Sequence, residues 1–204
     1  MANLELFESK LKLLLEGKIG PKTREITERI CGRVDGMCNE QTLAMLHMAV
    51  SDCLEEDERY LEVGTWKGRS VITALQDNDA RAVVIDPLTF DNSSIVFPAN
   101  AMSNNVWDRI DLFQMKWEDY LWENTPPKIG VYLYDGNHGT GHSYDGVDKF
   151  LSFLADEAII IVDDTNMPPV AEDMKRFVED NKERIVFHYE VPFWMGQTVI
   201  GYRR

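Results

Sequence analysis

The sequence has few cysteines, comparatively few basic residues and no long apolar run. Its three cysteines, Cys31, Cys38 and Cys53, are odd in number and scattered over predicted helices. This argues against a disulfide framework or a zinc cluster and favours reduced, structural thiols. No apolar run approaches the ~18 residues of a membrane-spanning helix, and the N-terminus lacks the basic stretch and cleavage pattern of a signal peptide. We therefore expect a cytoplasmic protein without a membrane partner.

The charge balance is strongly acidic. The 204 residues carry 35 acidic and 21 basic side chains, for a formal net charge of −14. Such a chain has no excess of cations with which to bind nucleic acid phosphates, so a small-molecule substrate is a better match than DNA or RNA. The hydrophobic content of 44% is enough for one well-buried core. Composition leaves open whether the chain forms a homo-oligomer.

The most informative stretch is a short apolar strand that runs into two glycines. Tyr60-Leu61-Glu62-Val63 is followed by Gly64-Thr65-Trp66-Lys67-Gly68-Arg69-Ser70 and a helical segment. Glycines here allow the backbone to turn sharply and to approach a ligand at the start of the helix, where free amide groups point outward. A second strand, residues 82–85, ends at Asp86, where a doubly wound sheet places a carboxylate on ribose hydroxyls. The pattern predicts a pocket for a nucleoside-containing ligand.

The glycine spacing bears on which nucleoside is bound. A dinucleotide fingerprint reads G-x-G-x-x-G, whereas this chain has Glu62-x-Gly64-x-x-x-Gly68-x-Ser70 and lacks the middle glycine. A carboxylate at the strand end would repel a pyrophosphate and would suit a ligand with an ammonium or sulfonium group. The alternative is an ordinary turn between a strand and a helix, because glycine pairs are common turn signals.

Residues 61–70 resemble motif I of the class I S-adenosylmethionine-dependent methyltransferases, and Asp86 matches their ribose-binding acid. Lys116-Trp117-Glu118-Asp119 matches the family's third cofactor segment, whose residues lie along the adenine. Trp117 could stack on a purine or pack in a short helix. The resemblance implies S-adenosyl-L-methionine as the cofactor, with Glu62 near its amino-acid part. The implied cofactor-binding residues are Glu62, Gly64, Thr65, Trp66, Gly68, Ser70, Asp86, Trp117 and Asp135.

The order of predicted elements indicates the fold. Helical spacing predicts helices near residues 4–15 and 39–54, with turns between them, and strands alternate with helices from residue 60 onward. The chain ends in two strands, residues 185–191 and 197–202, which form a hairpin typical of class I methyltransferases. We expect an α/β, Rossmann-like fold with a seven-stranded, mostly parallel sheet and a C-terminal antiparallel hairpin. Residues 1–54 would be an N-terminal helical extension, and residues 55–204 the methyltransferase domain.

A second informative block follows the apolar strand 129–134. It reads Asp135-Gly136-Asn137-His138-Gly139-Thr140-Gly141-His142-Ser143-Tyr144, with a helix expected over residues 147–154, and the later strand 158–162 ends in Asp163-Asp164. These segments resemble a group of small class I methyltransferases that includes antibiotic-tailoring and sugar-modifying enzymes. The resemblance implies O-methylation of a small metabolite or sugar hydroxyl. That group has one histidine between Asp-Gly and Ser-Tyr, so residues 137–140 or a neighbouring quartet look like an insertion. Which histidine takes the family position stays open.

A hydroxyl acceptor must lose its proton, and two routes fit the sequence. One of His138 and His142 could be a general base, since an unperturbed pKa of ~6.5 suits proton removal near neutrality. Alternatively, Asp135, Asp163 and Asp164 could bind Mg²⁺ or another divalent cation, which would lower the pKa of the hydroxyl. The predicted catalytic residues are His138, His142 and Asp135. Asp163 and Asp164 could instead cap the following helix.

The same residues bear on two other functions. A nicotinamide-dependent oxidoreductase is disfavoured by the glycine spacing and by the terminal hairpin. A non-catalytic nucleoside-binding or interaction module stays open, because a pocket can be kept after its chemistry is lost.

Overall fold

The computed structural model describes residues 3–121 and 127–204. Its strands are β1 Glu58–Val63, β2 Ala82–Ile85, β3 Ile110–Phe113, β4 Lys128–Tyr134, β5 Leu154–Val162, β6 Ile185–Val191 and β7 Gln197–Arg203. They form one sheet in the order β3-β2-β1-β4-β5-β7-β6. The pairs among β1 to β5 are parallel, and β7 is antiparallel to both β5 and β6. The predicted seven-stranded, mostly parallel sheet with a C-terminal antiparallel hairpin is confirmed.

Seven α-helices lie in the described ranges. They are α1 Leu4–Leu15, α2 Pro21–Cys31, α3 Glu40–Cys53, α4 Arg69–Ala74, α5 Ser93–Ser103, α6 His142–Phe150 and α7 Pro168–Asp180. The expected helix near residues 39–54 is α3, and the Asn39 side chain caps it by accepting a 2.9 Å hydrogen bond from the Thr42 N–H. α2 occupies a segment that we expected to be turns. Pro21 begins this helix and does not interrupt it, because the fixed φ of proline suits the first helical position.

Two other boundaries differ from expectation, and one of them changes the site. The helix expected over residues 147–154 begins at His142, directly after Gly141, whose φ is 85°. His142 is therefore the first residue of a helix and not part of an open loop. β5 correspondingly begins at Leu154, which is earlier than the expected strand at residue 158.

The sheet has a hydrophobic core on each face. Side chains alternate along the strands, so Val131 and Leu133 of β4 pack with α1 to α5, whereas Tyr132 and Tyr134 pack with α6 and α7. Helices α1, α2 and α3 belong to the same buried cluster as the sheet. A domain boundary near residue 54 stays a prediction. No helix in the described ranges is long and apolar enough to cross a membrane.

The buried carboxylate of Asp173 fixes the start of α6. Asp173, on α7, is 7% exposed. It accepts hydrogen bonds from the backbone N–H groups of Gly141 at 3.0 Å, Ser143 at 3.2 Å and Tyr144 at 3.4 Å. These are the orphan donors of a helix N-terminus. Asp173 thereby determines where the loop of residues 135–141 ends.

We expect Asp173→Ala to lower the free energy of unfolding by about 2–4 kcal/mol, because it leaves buried N–H groups without an acceptor. Urea denaturation followed by circular dichroism should show a lower midpoint at an unchanged slope. Glu172→Ala is the matched control, since the neighbouring Glu172 is exposed. Equal midpoints for the two variants would contradict the role given to Asp173.

Candidate functional site

Two cavities meet at the carboxyl ends of β1, β2 and β4. The larger cavity, about 750 Å³, lies along β2 and the Lys116–Glu118 segment. The smaller cavity, about 400 Å³, lies beside the loop between α2 and α3 and the tip of the terminal hairpin. The residues that line both are Met37, Gly64, Trp66, Asp86, Asp135 and His138. The chain crosses over on opposite sides of β1 at this edge, which is where open α/β sheets bind ligands.

The turn after β1 passes close to the backbone at the end of β4. Gly64 has a φ of 84° and Gly68 a φ of 87°, both in the left-handed region. A Cβ on Gly64 would collide with the carbonyl oxygen of Asp135 at the end of β4, and a Cβ on Gly68 would meet the ring of Phe97. Glycine is therefore required at both positions for conformation and for space. The predicted residues Thr65, Trp66 and Ser70 line the smaller cavity as a result.

Asp86 is the hydrogen-bond acceptor that shapes this turn. Its Oδ2 accepts from the Thr65 N–H at 2.6 Å and the Trp66 N–H at 3.0 Å. Its Oδ1 accepts from the Leu88 N–H at 2.6 Å. A carboxylate has about four acceptor positions, so Asp86 keeps acceptor capacity toward the two cavities that it lines.

Glu62 lies behind the turn and is fully buried. Its Oε1 accepts from the Ser70 hydroxyl at 2.6 Å, and its Oε2 accepts from the Tyr60 hydroxyl at 2.5 Å. Burial raises the pKa of Glu62 to about 7. Both oxygens are used within the protein, so Glu62 reaches the smaller cavity through Ser70. Its predicted contact with a cofactor stays a prediction.

Trp117 lines the larger cavity from a short 3-10 turn, Trp117–Asp119. Its ring packs edge-on against Tyr134, with ring centroids 6.2 Å apart, and against His142 at 6.4 Å. Trp117 thus has a packing role and also faces the cavity. Stacking on a purine stays a prediction.

Three predicted residues form an acidic cluster with a histidine at its centre. His138 Nε2 lies 3.2 Å from Asp164 Oδ2 and 3.6 Å from Asp135 Oδ1. Ligand atoms of Asp135, His138 and Asp164 all lie within 4.8 Å of one another, close enough to share a metal ion. The nearby carboxylates of Asp135 and Asp164 raise the pKa of His138 above its ordinary value despite partial burial.

The carboxylate of Asp163, a predicted metal ligand, is hydrogen-bonded within the protein. Its Oδ1 accepts from Gln197 Nε2 at 2.6 Å and from the Asp164 N–H at 2.9 Å. Burial and the nearby Asp135 raise the pKa of Asp163 to about 7. Both aspartates line the smaller cavity. Asp164, whose φ is 58°, places its carboxylate beside His138, whereas the carboxylate of Asp163 is held by the hairpin. Neither aspartate caps α7, because the N-cap position is Met167.

The structure separates the two histidines. His142 Nδ1 lies 3.7 Å from Glu118 Oε1, beside Trp117, and lines the larger cavity. His138 lines both cavities and faces Asp135 and Asp164. The geometry therefore favours His138 for any proton transfer at the junction.

A family model described as a methyltransferase domain matches residues 61–165, slightly more than half of the chain. The chain belongs to this methyltransferase family. No curated protein matches its sequence. The family and the fold together confirm the expected class I S-adenosylmethionine-dependent methyltransferase.

Solved structures resemble this methyltransferase over nearly its whole length. The S-adenosylhomocysteine-bound methyltransferase PaMTH1 of Podospora anserina has a TM-score of 0.66 at 18% identity, with 99% of this chain and 97% of that chain covered. The O-methyltransferase TomG of Streptomyces achromogenes, involved in tomaymycin synthesis and solved with S-adenosylmethionine, has a TM-score of 0.60 at 15% identity, with both chains fully covered. An O-methyltransferase from Bacillus cereus, solved with S-adenosylhomocysteine, has a TM-score of 0.60 at 14% identity, with 90% and 92% covered. At these identities the likeness shows the fold.

Lys67 and Arg69 of the methyltransferase's glycine turn bind the loop between α2 and α3, which the sequence analysis does not predict as part of the site. Arg69 donates from Nε to the Val34 carbonyl at 2.6 Å and from Nη1 to the Cys38 carbonyl at 3.1 Å. Lys67 Nζ lies 2.8 Å from Asp35 and 2.7 Å from Asp91. The loop between α2 and α3 is thus fastened beside the smaller cavity. The basic residues were visible in the sequence, but their partners, distant along the chain, were not.

We expect the imidazole of His138 to titrate above ~6.5 in metal-free methyltransferase, because carboxylates on two sides favour its charged form. NMR titration should show a lower midpoint in Asp164→Asn and an unchanged one in Asp145→Asn, where the exposed Asp145 is the control. The imidazolium stabilises the fold below its unfolded pKa, and this contribution is lost as pH rises through the folded pKa. A His138 midpoint at or below ~6.5 would contradict the arrangement.

Proposed function

We propose that this methyltransferase transfers the methyl group of S-adenosylmethionine to a hydroxyl oxygen of a small metabolite or sugar, assisted by a divalent cation. The observation that carries the proposal is the cluster of Asp135, His138 and Asp164 at the junction of the two cavities. An acceptor in the smaller cavity would meet a donor from the larger one at this junction. The chemistry then consists mainly of orientation and removal of one proton.

The larger cavity suits the adenosine part of the cofactor. Asp86 faces it with spare acceptor capacity for ribose hydroxyls, and the turn at Gly64 lines it. Trp66 Nε1 is buried and has no hydrogen-bond partner among the described residues, so a ligand oxygen would satisfy it. When bound, S-adenosylmethionine supplies a methyl group on a sulfonium, a good leaving group. The other residues proposed to hold it are Thr65, Gly68, Ser70, Trp117 and Asp135, with Glu62 acting through Ser70.

The first test of this function is cofactor binding. Asp86→Ala should weaken S-adenosylhomocysteine binding at least ~tenfold, because it removes charge-assisted hydrogen bonds to the ligand and releases the Thr65 and Trp66 amides. Isothermal titration calorimetry should also show that the wild type prefers S-adenosylhomocysteine to NAD. Asp111→Ala, an exposed acid on β3, is the control. Unchanged affinity in Asp86→Ala, with the fold intact, would refute the assignment of Asp86.

The acidic cluster suits a hard divalent cation. Asp135 and Asp164 each offer a carboxylate oxygen and His138 offers Nε2, and oxygen-rich sites favour Mg²⁺, Mn²⁺ or Ca²⁺. A bound cation would lower the pKa of the acceptor hydroxyl. The raised pKa of His138 keeps more of it protonated near neutrality, which disfavours it as an unassisted base. Asp163, also predicted as a ligand, would support the cluster by fixing the backbone of Asp164.

The metal is tested by thermal unfolding. Mg²⁺, Mn²⁺ or Ca²⁺ at ~100 times its Kd should stabilise the wild type by ~2.7 kcal/mol and raise the Tm by several degrees, because only the native state has the site. Asp164→Asn and His138→Ala should largely abolish the shift. Asp145→Asn and His142→Ala are matched controls that should keep it, since neither residue belongs to the cluster.

The opposite result selects the second candidate mechanism. If no cation shifts the Tm and His138→Ala still lowers turnover by ~10²–10⁴-fold with cofactor affinity intact, His138 acts as a general base. Activity would then fall as pH drops through the raised pKa of His138, because an imidazolium cannot accept a proton.

A further inference from the structure

Backbone hydrogen bonds join the tip of the terminal hairpin to the loop after β5, which carries Asp164. The Thr165 N–H donates to the Gly196 carbonyl at 3.0 Å, and the Asn166 N–H donates to the Met195 carbonyl at 3.0 Å. Directly after the tip, Gln197, the first residue of β7, donates to the buried carboxylate of Asp163. The position of the tip is therefore set relative to Asp164.

Trp194 stands at this tip in an unusual backbone conformation. Its φ is 47°, a left-handed value that is uncommon for a bulky residue and that clusters at functional sites. The side chain lines the smaller cavity while 53% of it stays exposed. A half-exposed indole has a large apolar surface that a ligand can contact.

Trp194 is part of an apolar wall. Met195, 39% exposed, and Met37, 59% exposed, line the same cavity. Methionine is flexible and makes favourable contacts with aromatic rings. The wall thus joins one flat aromatic surface to two adaptable side chains in the cavity that Asp135, His138 and Asp164 also line.

The charges around the smaller cavity disfavour anions. Asp135, Asp163 and Asp164 line it. Of the basic side chains there, Lys67 is only 12% exposed and lies between two carboxylates, and Arg69 donates to backbone carbonyls. A divalent cation in the cluster would offset the charges of Asp135 and Asp164, but a phosphate or carboxylate on an acceptor would still meet Asp35 and Asp163 in the same cavity.

We propose that Trp194 is a specificity-determining residue that selects acceptors with a flat, uncharged or cationic ring and rejects acceptors that carry an anionic group. The inference rests on the proposed O-methyl transfer and narrows its substrate class. The hydroxyl of such a ring faces the Asp135, His138 and Asp164 cluster while the ring lies against the indole. A non-planar polyol of the same size would leave the apolar wall uncovered.

Four probe acceptors of similar size separate shape from charge: catechol, dopamine, 3,4-dihydroxybenzoate and cis-1,2-cyclohexanediol. With S-adenosylmethionine and Mg²⁺, we expect the ratio kcat/KM to be at least ~tenfold higher for catechol and dopamine than for the carboxylate or the alicyclic diol. Trp194→Ala should raise the KM for catechol roughly tenfold by removing the stacking surface, whereas Trp194→Phe should stay within about threefold of wild type. Affinity for S-adenosylhomocysteine should be unchanged in both variants.

Ile95→Ala is the control, because Ile95 is exposed on α5 and does not line either cavity. Methylation of the alicyclic diol or of the carboxylate at rates equal to catechol would overturn the inference while leaving O-methyl transfer intact. An unchanged KM in Trp194→Ala, or no methylation of catechol by a protein that binds S-adenosylhomocysteine, would also overturn it. Failure to bind S-adenosylhomocysteine would instead refute the proposed function itself.

Discussion

The close approach of Gly64 to the carbonyl oxygen of Asp135 is the constraint on which the site depends. The ends of β1 and β4 are paired in register at Val63 and Tyr134, so the segments that leave them run side by side. Any side chain at residue 64 would occupy the position of the Asp135 carbonyl. Because glycine removes that conflict, the turn after β1 and the loop after β4 border the same two cavities. The residues proposed to bind the cofactor and the acceptor meet there for this reason.

The same convergence concentrates negative charge in a chain that already carries a net charge of −14. The pKa of Asp163 is raised to about 7, and that of Asp164 is raised by burial and by Asp135. The pKa of His138 is raised in turn because its charged form offsets these carboxylates. The cluster therefore favours positive charge, either a proton on His138 Nε2 or, under the proposed function, a metal ion. Both would use the same nitrogen, so the two proposed chemistries compete and do not add.

Most of the fold could be predicted because its elements have strong local patterns. The bounds of β2, β4, β6 and β7 agree with expectation to within one or two residues, since each is an apolar or alternating run between clear turn signals. The start of α6 could not be predicted, because it depends on the Asp173 carboxylate from a distant helix. The sequence does not predict α2, because Gly20 and Pro21 at its start are also typical turn residues.

The sequence predicts most of the residues that form the site but not how their side chains are arranged. Motif spacing identified Asp86, Asp135, His138 and Asp164, which the structure brings to one edge of the sheet. Of the pair Asp163-Asp164, only Asp164 places its carboxylate beside His138, whereas the carboxylate of Asp163 accepts hydrogen bonds from Gln197 and from the Asp164 N–H. Local sequence does not tell which is which, since the partner that holds Asp163, Gln197, lies 34 residues further on.

The terminal hairpin contributes to the structure in two ways. β7 pairs with β5 in the sheet, and its first residue, Gln197, holds the Asp163 carboxylate by a hydrogen bond. The tip next to it presents Trp194 and Met195 to the smaller cavity. The residues proposed to bind the cofactor lie on different elements, namely the turn between β1 and α4 and the end of β2 at Asp86. Because the hairpin tip contacts the loop after β5 through backbone hydrogen bonds, its side chains can change without altering those bonds. Under the proposed function, substitutions at the tip would therefore change acceptor preference and preserve cofactor binding.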